Sequence, residues 1–302
     1  MKPSITRRSC WAGSAYIVAL VAGTAGLAMP TFGDWSSVAN IEVLPGSSSD
    51  VNSASIEGCP SVSPDGLTLA FNSFRSGNQQ IYLAHRDSTE EGFGAPEMAP
   101  APINSSALEF CPTMMQGNRL YFSRAAGGDP GDIYVAKLGP KGWSTPSRLS
   151  SAINQPGTIE EGVSIYEDDD GREVLLFSRR PPGPFDGVGG KIYQSVDGAP
   201  ASLVAGGPHS SASDNRPSVT HDGKTIFWDS LRSGSLGGPD IWYATRSNTA
   251  QPFGSAVHLS ALSSNQSDTR PYIGWQGNML TLSSSRAGGE AMGDIWFVTR
   301  DK

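Results

Sequence analysis

Residues Glu57 to Tyr82 read EGCPSVSPDGLTLAFNSFRSGNQQIY. An acid is followed by Pro-Ser-Val, a Pro-Asp-Gly turn, an apolar run ending in Ser and Arg, a Gly-containing loop, and Ile-Tyr. The unit recurs. Its openings are Glu57-Gly-Cys-Pro-Ser-Val, Glu109-Phe-Cys-Pro-Thr-Met, Glu160-Glu-Gly-Val-Ser-Ile, Asp214-Asn-Arg-Pro-Ser-Val and Asp268-Thr-Arg-Pro-Tyr-Ile. Each is followed by an arginine (Arg75, Arg124, Arg179, Arg232, Arg286) and then by Ile81-Tyr82, Ile133-Tyr134, Ile192-Tyr193, Ile241-Trp242 or Ile295-Trp296. Five copies at a spacing of roughly 50 residues, built from short strand patterns, mark a repeat architecture.

Within one copy the pattern divides into four strands. Pro60 to Ser63 opens the first, and Pro64-Asp65-Gly66 is a turn in which Pro presets φ and Gly supplies positive φ. Leu67 to Asn72 is the second strand and Ile81 to His85 the third, while a stretch around Gly92 leads to a fourth near Met98. Four antiparallel strands per repeat describe a propeller blade better than a solenoid coil. The fifth copy ends after its third strand, and Val38 to Leu44, ahead of the first copy, matches the missing outer strand. The expectation is an all-β, five-bladed propeller whose N-terminal strand completes the last blade and so removes two open sheet edges.

The first 28 residues read differently. Lys2, Arg7 and Arg8 precede a weakly apolar run from Trp11 to Met29, with small residues at Gly26-Leu27-Ala28, the pattern of a secretory signal peptide. The expected organisation is a signal peptide over 1–28 and one propeller domain over 29–302, in a periplasmic or secreted protein. Removing the segment takes away three positive charges and no negative ones, moving the formal net charge from −7 to −10. An acidic domain with no Lys/Arg-rich stripe is a poor fit to nucleic acid or an anionic membrane surface. The expectation is therefore no nucleic acid, no membrane insertion after signal removal, and a monomer.

Cys59 and Cys111 occupy the same repeat position on adjacent copies, near the propeller axis. A disulfide between them is one reading in an oxidising compartment. Buried free thiols are the other, because equivalent positions on neighbouring blades can exceed the Cα separation a disulfide allows.

The stretch Pro60 to Tyr82, with the copies at Pro112 to Tyr134 and Pro217 to Trp242, resembles the TolB-like propeller repeat, a WD-repeat-like blade of exported bacterial proteins. The fifth copy departs from it at Gln276-Gly277-Asn278, where the Asp-Gly turn is lost, and the third is the most divergent. The resemblance spans nearly all of the chain after the leading segment. It implies the fold, and a function anywhere between protein docking and carbohydrate processing.

Strand order places the loops leading into first strands, and those joining second to third strands, on one face. The acids Glu57, Glu109, Glu160, Asp214 and Asp268 and the arginines Arg75, Arg124, Arg179, Arg232 and Arg286 project toward that face. One reading is a charged funnel for an envelope protein, an oligosaccharide or a small polar ligand. The other is that each acid pairs with its repeat arginine and ties blades together; the arginines of copies two and three come two residues earlier, so five identical pairs are excluded. Two residues after each acid the copies read Cys59, Cys111, Gly162, Arg216 and Arg270. Arg216 and Arg270 either clamp a carboxylate or sulfate or neutralise Asp214 and Asp268.

If the protein is an enzyme, the type is a glycoside hydrolase or lyase using carboxylates at the channel mouth. Its candidate catalytic residues are Glu160, Glu161, Glu109 and Glu57. No cofactor is expected. Calcium is the one weak metal candidate, at Asp168, Asp169 and Asp170, where a dense acidic turn offers hard oxygens. The four histidines, His85, His209, His221 and His258, have no metal-ligand spacing.

Overall fold

Each inner strand begins at a ring acid or one residue before it. In the computed structural model, which describes residues 34–183 and 188–301, the five inner strands are Glu57–Val62, Leu108–Met115, Ile159–Glu167, Asp214–Val219 and Asp268–Ile273. Blade one continues through Thr68–Ser73, Gln80–His85 and Glu97–Met98. Blade two continues through Arg119–Ala125, Asp132–Gly139 and Ser147–Arg148, with an extra short strand, Gly142–Trp143, on its third strand. Blades three and four run Glu173–Arg180, Lys191–Val196, Ser202–Leu203 and Thr225–Ser230, Asp240–Thr245, Val257–His258. All five sheets are antiparallel, and together they form a five-bladed propeller.

The last blade closes as the sequence predicts. Met279–Ser284 and Asp294–Thr299 supply its second and third strands, and Ala39–Asn40 its fourth, with Ala39 opposite Phe297 and Asn40 opposite Trp296. The Ser36 amide donates to the Thr299 carbonyl at 2.7 Å and lengthens this clasp. The expected signal peptide, 1–28, lies outside the described residues. Among the described residues no helix is long and apolar enough to cross a membrane.

The apolar core lies between blades. Phe71, Tyr82 and Val62 of blade one pack with Tyr272, Ile295 and Phe297 of blade five. Ile81 of blade one meets Leu120 and Phe122 of blade two, Tyr121 and Ile133 meet Ile165 and Phe177, Leu176 and Ile192 meet Trp228 and Trp242, and Phe227 and Ile241 meet Leu282 and Trp296. Each such fully buried side chain contributes roughly 1.5–3 kcal/mol from removal of apolar surface from water. Aromatics at the repeat positions are thereby accounted for as packing between blades.

The same irregularity interrupts every inner strand. Pairing with the second strand shifts register between Gly58 and Ser61, Phe110 and Thr113, Glu161 and Ser164, Asn215 and Ser218, and Thr269 and Tyr272. The residue at the bulge adopts left-handed backbone: Cys59 (φ 50°), Cys111 (47°), Gly162 (69°), Arg216 (46°) and Arg270 (56°). A bulge of this kind re-aims a side chain, and here it turns that residue toward the axis. At Gly162 there is a second constraint, because a Cβ would lie 2.8 Å from the Arg216 Cα.

The bulge also settles the cysteines. Cys59 and Cys111 form a disulfide, with their Cα atoms 4.7 Å apart, inside the usual range. The argument from blade spacing fails because left-handed backbone carries both residues inward, where neighbouring blades converge.

Candidate functional site

The five ring acids are fully buried at 0 % exposure, and each meets its repeat arginine. The pairs are Glu57–Arg75 at 3.0 Å, Glu109–Arg124 at 2.8 Å, Glu160–Arg179 at 2.7 Å, Asp214–Arg232 at 2.5 Å and Asp268–Arg286 at 2.5 Å. A hydroxyl just upstream also donates to each acid: Ser53, Ser105, Thr158, Ser210 and Ser264. The difference in arginine position produces two geometries. Arg124 and Arg179 bond their acids through Nε, whereas Arg75, Arg232 and Arg286 use Nη2 and give Nε to the serine that ends the second strand.

Every one of these arginines reaches further, to a carbonyl of the loop arriving from the preceding blade: Val51, Ile103, Ile153, Gly207 and Leu262. Each also lies over one or two ring faces, as Arg75 does over Phe71 and Tyr82 at 5.5 and 5.0 Å. The repeat pair is thus a joint holding incoming loop, inner strand and aromatic packing together.

Three asparagines belong to the same joint. Asn52, Asn104 and Asn154 each accept from and donate to the backbone of one isoleucine in the preceding blade's third strand, Ile295, Ile81 and Ile133. Their recurrence five or six residues before the acid is the signal in the sequence that would have found them.

Beneath the ring acids, the axial layer is ionic on one side and closed by the disulfide on the other. Arg216 donates to both oxygens of Asp229, at 2.8 and 2.6 Å, and lies 3.5 Å from Glu161, which also accepts from Arg180 at 2.8 Å. Arg270 gives its backbone amide to Asp229 at 3.0 Å. Of the two readings of Arg216, the pairing seen is with neither a ligand nor Asp214: Asp214 pairs with Arg232, and the bulge sends Arg216 across the sheet to Asp229. Burial and the neighbouring Arg216 push the Arg270 guanidinium down to about 10. The channel at this level has a volume of about 20 Å³, room for about one water.

Of the candidate catalytic acids, Glu57 and Glu160 have pKa values raised by burial, against their serine or threonine and arginine hydrogen bonds. Burial also pushes Glu161 up, but Arg180, Arg216 and Arg270 together bring it below its ordinary value. Asp168, Asp169 and Asp170 form a turn in which Arg172 bridges Asp168 and Asp170 at 2.7 and 2.9 Å, and Asp169 accepts from the Thr249 amide at 2.8 Å. Among the described residues no group of three or more His, Cys, Asp or Glu side chains is arranged to hold a metal ion.

The exposed part of the face mixes polar loop residues such as Ser76, His209, Asn265 and Glu290 with large aliphatic side chains. Ile56, Leu108, Val188, Leu231, Leu236 and Met292, contributed by all five blades, stand out from the loops around the axis, Met292 at 81 % exposure. Between blades five and one, a cleft of about 340 Å³ runs under Ile56, Phe74 and Met292, and its other walls carry Arg270 and a set of hydroxyls and amides, among them Ser267, Thr269 and Gln79.

No protein-family model matches the chain, and no curated protein does. Solved structures do. An α-L-arabinofuranosidase from Lactobacillus brevis aligns with a TM-score of 0.57 at 13 % identity, covering 83 % of this chain and 92 % of its own. An endo-arabinase from Bacteroides thetaiotaomicron gives 0.54 at 17 %, covering 87 % and 97 %, and a putative TolB from Agrobacterium tumefaciens gives 0.50 at 18 %, covering 85 % and 80 %. At these identities the likeness is one of fold.

Proposed function

We propose that this protein is an exported binding module that docks a partner protein on its ring-acid face, seating an apolar side chain of the partner in the cleft between blades five and one. The observation that carries this reading is the division of that face: its ring carboxylates are buried under arginines, while every blade leaves at least one large aliphatic side chain exposed among the polar loop residues around the axis. Exposed apolar side chains gathered at a cleft with polar walls, as Ile56 and Met292 are beside Phe74, are a usual mark of an interaction site. The hydroxyls and amides of the cleft wall match the main-chain N–H and C=O groups of an extended segment, so a peptide stretch with one protruding apolar residue is the favoured occupant. Export rests on the basic-then-apolar pattern of residues 1–28.

A second reading, a carbohydrate-active hydrolase, draws on the fold likeness to arabinan-acting enzymes and on the raised pKa of Glu57 and Glu160, a property of general acids. Against it, both acids lie at 0 % exposure beneath an arginine and a hydroxyl, and the axial channel beneath them admits no sugar ring.

One experiment addresses both. Peptide-display selection on the full chain, repeated on Ile56→Asp and Met292→Asp variants, is expected to enrich segments sharing an apolar anchor that bind the variants about 10-fold or more weakly, at least 1.4 kcal/mol. Enrichment indifferent to both substitutions, or none, overturns docking. Reducing sugar released from arabinan by the parent but not by Glu160→Gln would establish the hydrolase instead.

A further inference from the structure

The opposite face holds a second concavity. There the turns joining first to second strands converge on the other mouth of the channel. Trp275, just after the inner strand of blade five, packs against the core formed by Met115, Tyr121, Ile165 and Phe177 of blades two and three. It therefore lies across the mouth. His221, in the corresponding turn of blade four, stacks on it with ring centroids 3.8 Å apart and planes 29° from parallel.

Beside this pair is a cleft of about 340 Å³, within the range of small-molecule sites. Met115, Ile165 and Trp275 give it an apolar wall, and Gln116, Arg119, Glu167 and Glu173 a polar rim. Arg119 reaches from blade two to Glu173 at 2.8 Å and to the Tyr121 hydroxyl at 3.0 Å. Glu167 stands directly opposite Glu173 in the sheet register of blade three, a like-charge juxtaposition that disfavours the pair. Gln116, Glu167 and His221 are exposed.

We propose that this cleft binds a short neutral saccharide, with an apolar face of a sugar ring against Trp275 and Met115 and its hydroxyls on the rim. The rim sets the class. Arg119 can only donate, Glu167 and Glu173 only accept, and Gln116 does both. A ligand that is purely anionic or purely cationic satisfies one part of this set and opposes the other. A sugar hydroxyl donates and accepts at once, and its ring presents C–H surface on one side, matching a site in which an indole and a thioether adjoin planar polar groups. The cleft shares no residue with the ring acids or with the apolar loops of the other face, so this inference does not depend on the docking reading.

The test uses the indole N–H signals of the full chain in a proton–nitrogen correlation spectrum, with Trp275 assigned through Trp275→Phe. Cellobiose, maltose and N,N′-diacetylchitobiose are titrated in turn, with choline chloride and sodium sulfate as charged comparators. The expected result is a saturable shift of the Trp275 signal with at least one disaccharide. Gln116→Ala and Glu167→Ala, both at exposed positions and so expected not to lower the thermal midpoint, should weaken it about 10-fold, or 1.4 kcal/mol. No shift with any of the three sugars, a shift with choline or sulfate alone, or titrations indifferent to both variants would each overturn the proposal.

Discussion

The Arg216 guanidinium holds both oxygens of Asp229 across blade four, at 2.8 and 2.6 Å, and neither residue is more than 2 % exposed. A pair of this kind is costly to break because the survivor keeps its charge in a desolvated site, a loss of roughly 3–5 kcal/mol. Asp229→Ala should lower stability by that order in urea titration, and Asp229→Ala with Arg216→Met should recover part of the loss. A single variant as stable as the parent would mean that Arg216 is neutralised elsewhere in the layer.

The Cys59–Cys111 disulfide closes a segment of 52 residues. A loop of that length implies roughly 4 kcal/mol of stabilisation through the unfolded chain. Cys59→Ser with Cys111→Ser, or the parent under reductant, should shift the denaturant midpoint downward accordingly, while free-thiol titration of the parent finds neither cysteine reactive. Equal midpoints with and without reductant would count against the bond's structural role.

Ring closure rests on Ala39–Asn40 against Trp296 and Phe297. Deleting residues 34–40 exposes the third strand of blade five as an open edge, which invites aggregation, and is expected to lower the thermal midpoint by on the order of 10 °C, corresponding to a few kcal/mol for a domain of this size. Calorimetry that finds the midpoint unmoved would show that four blades and a partial fifth suffice.

Acid should weaken the axial layer. The Glu161 carboxyl is pushed up by burial but brought below its ordinary value of 4.5 by Arg180, Arg216 and Arg270. Its stabilising contribution is therefore present above about pH 4.5 and is lost as the pH falls through the depressed folded value. Glu57 and Glu160, raised by burial, act in the opposite sense, favouring the folded state as the pH drops through the window just above 4.5. Glu161→Gln should be less stable than the parent at neutral pH but should lose less stability between about pH 5 and pH 3. Parallel stability profiles would show that Glu161 does not govern the acid limb.

The blade count, the strand order and the closing strand were all legible, because acid, Pro, turn and Ile-aromatic recur at the same offsets from Glu57 to Trp296. Pairing of the ring acids with the arginines was open as one of two readings, since spacing alone does not say whether a charge faces water or a neighbour. The bulge was not legible. Cysteine, glycine and arginine occupy its left-handed position in turn, so no residue type announces it, and with it went the disulfide geometry and the destination of Arg216. The apolar residues of the ring-acid face escaped for the opposite reason: Ile56, Leu236 and Met292 fall in loops at different offsets, and only the closed ring brings them to one surface. Trp275 likewise sits where the fifth copy loses its Asp-Gly turn, a departure from the repeat whose meaning appears only across the channel mouth.

The clasp of Ala39–Asn40 on Asp294–Thr299 imposes an order of events. A chain synthesised from its amino end delivers this short strand some 250 residues before the partner it must pair with. Blades one to four can assemble in sequence as they emerge, each on the face of the last, yet the fifth waits for the final stretch of polypeptide. Until then the arc gapes at both ends, and the interval between emergence of the first strand and the last is when chaperones, proteases or a second nascent arc have access to the two edges that the finished ring conceals.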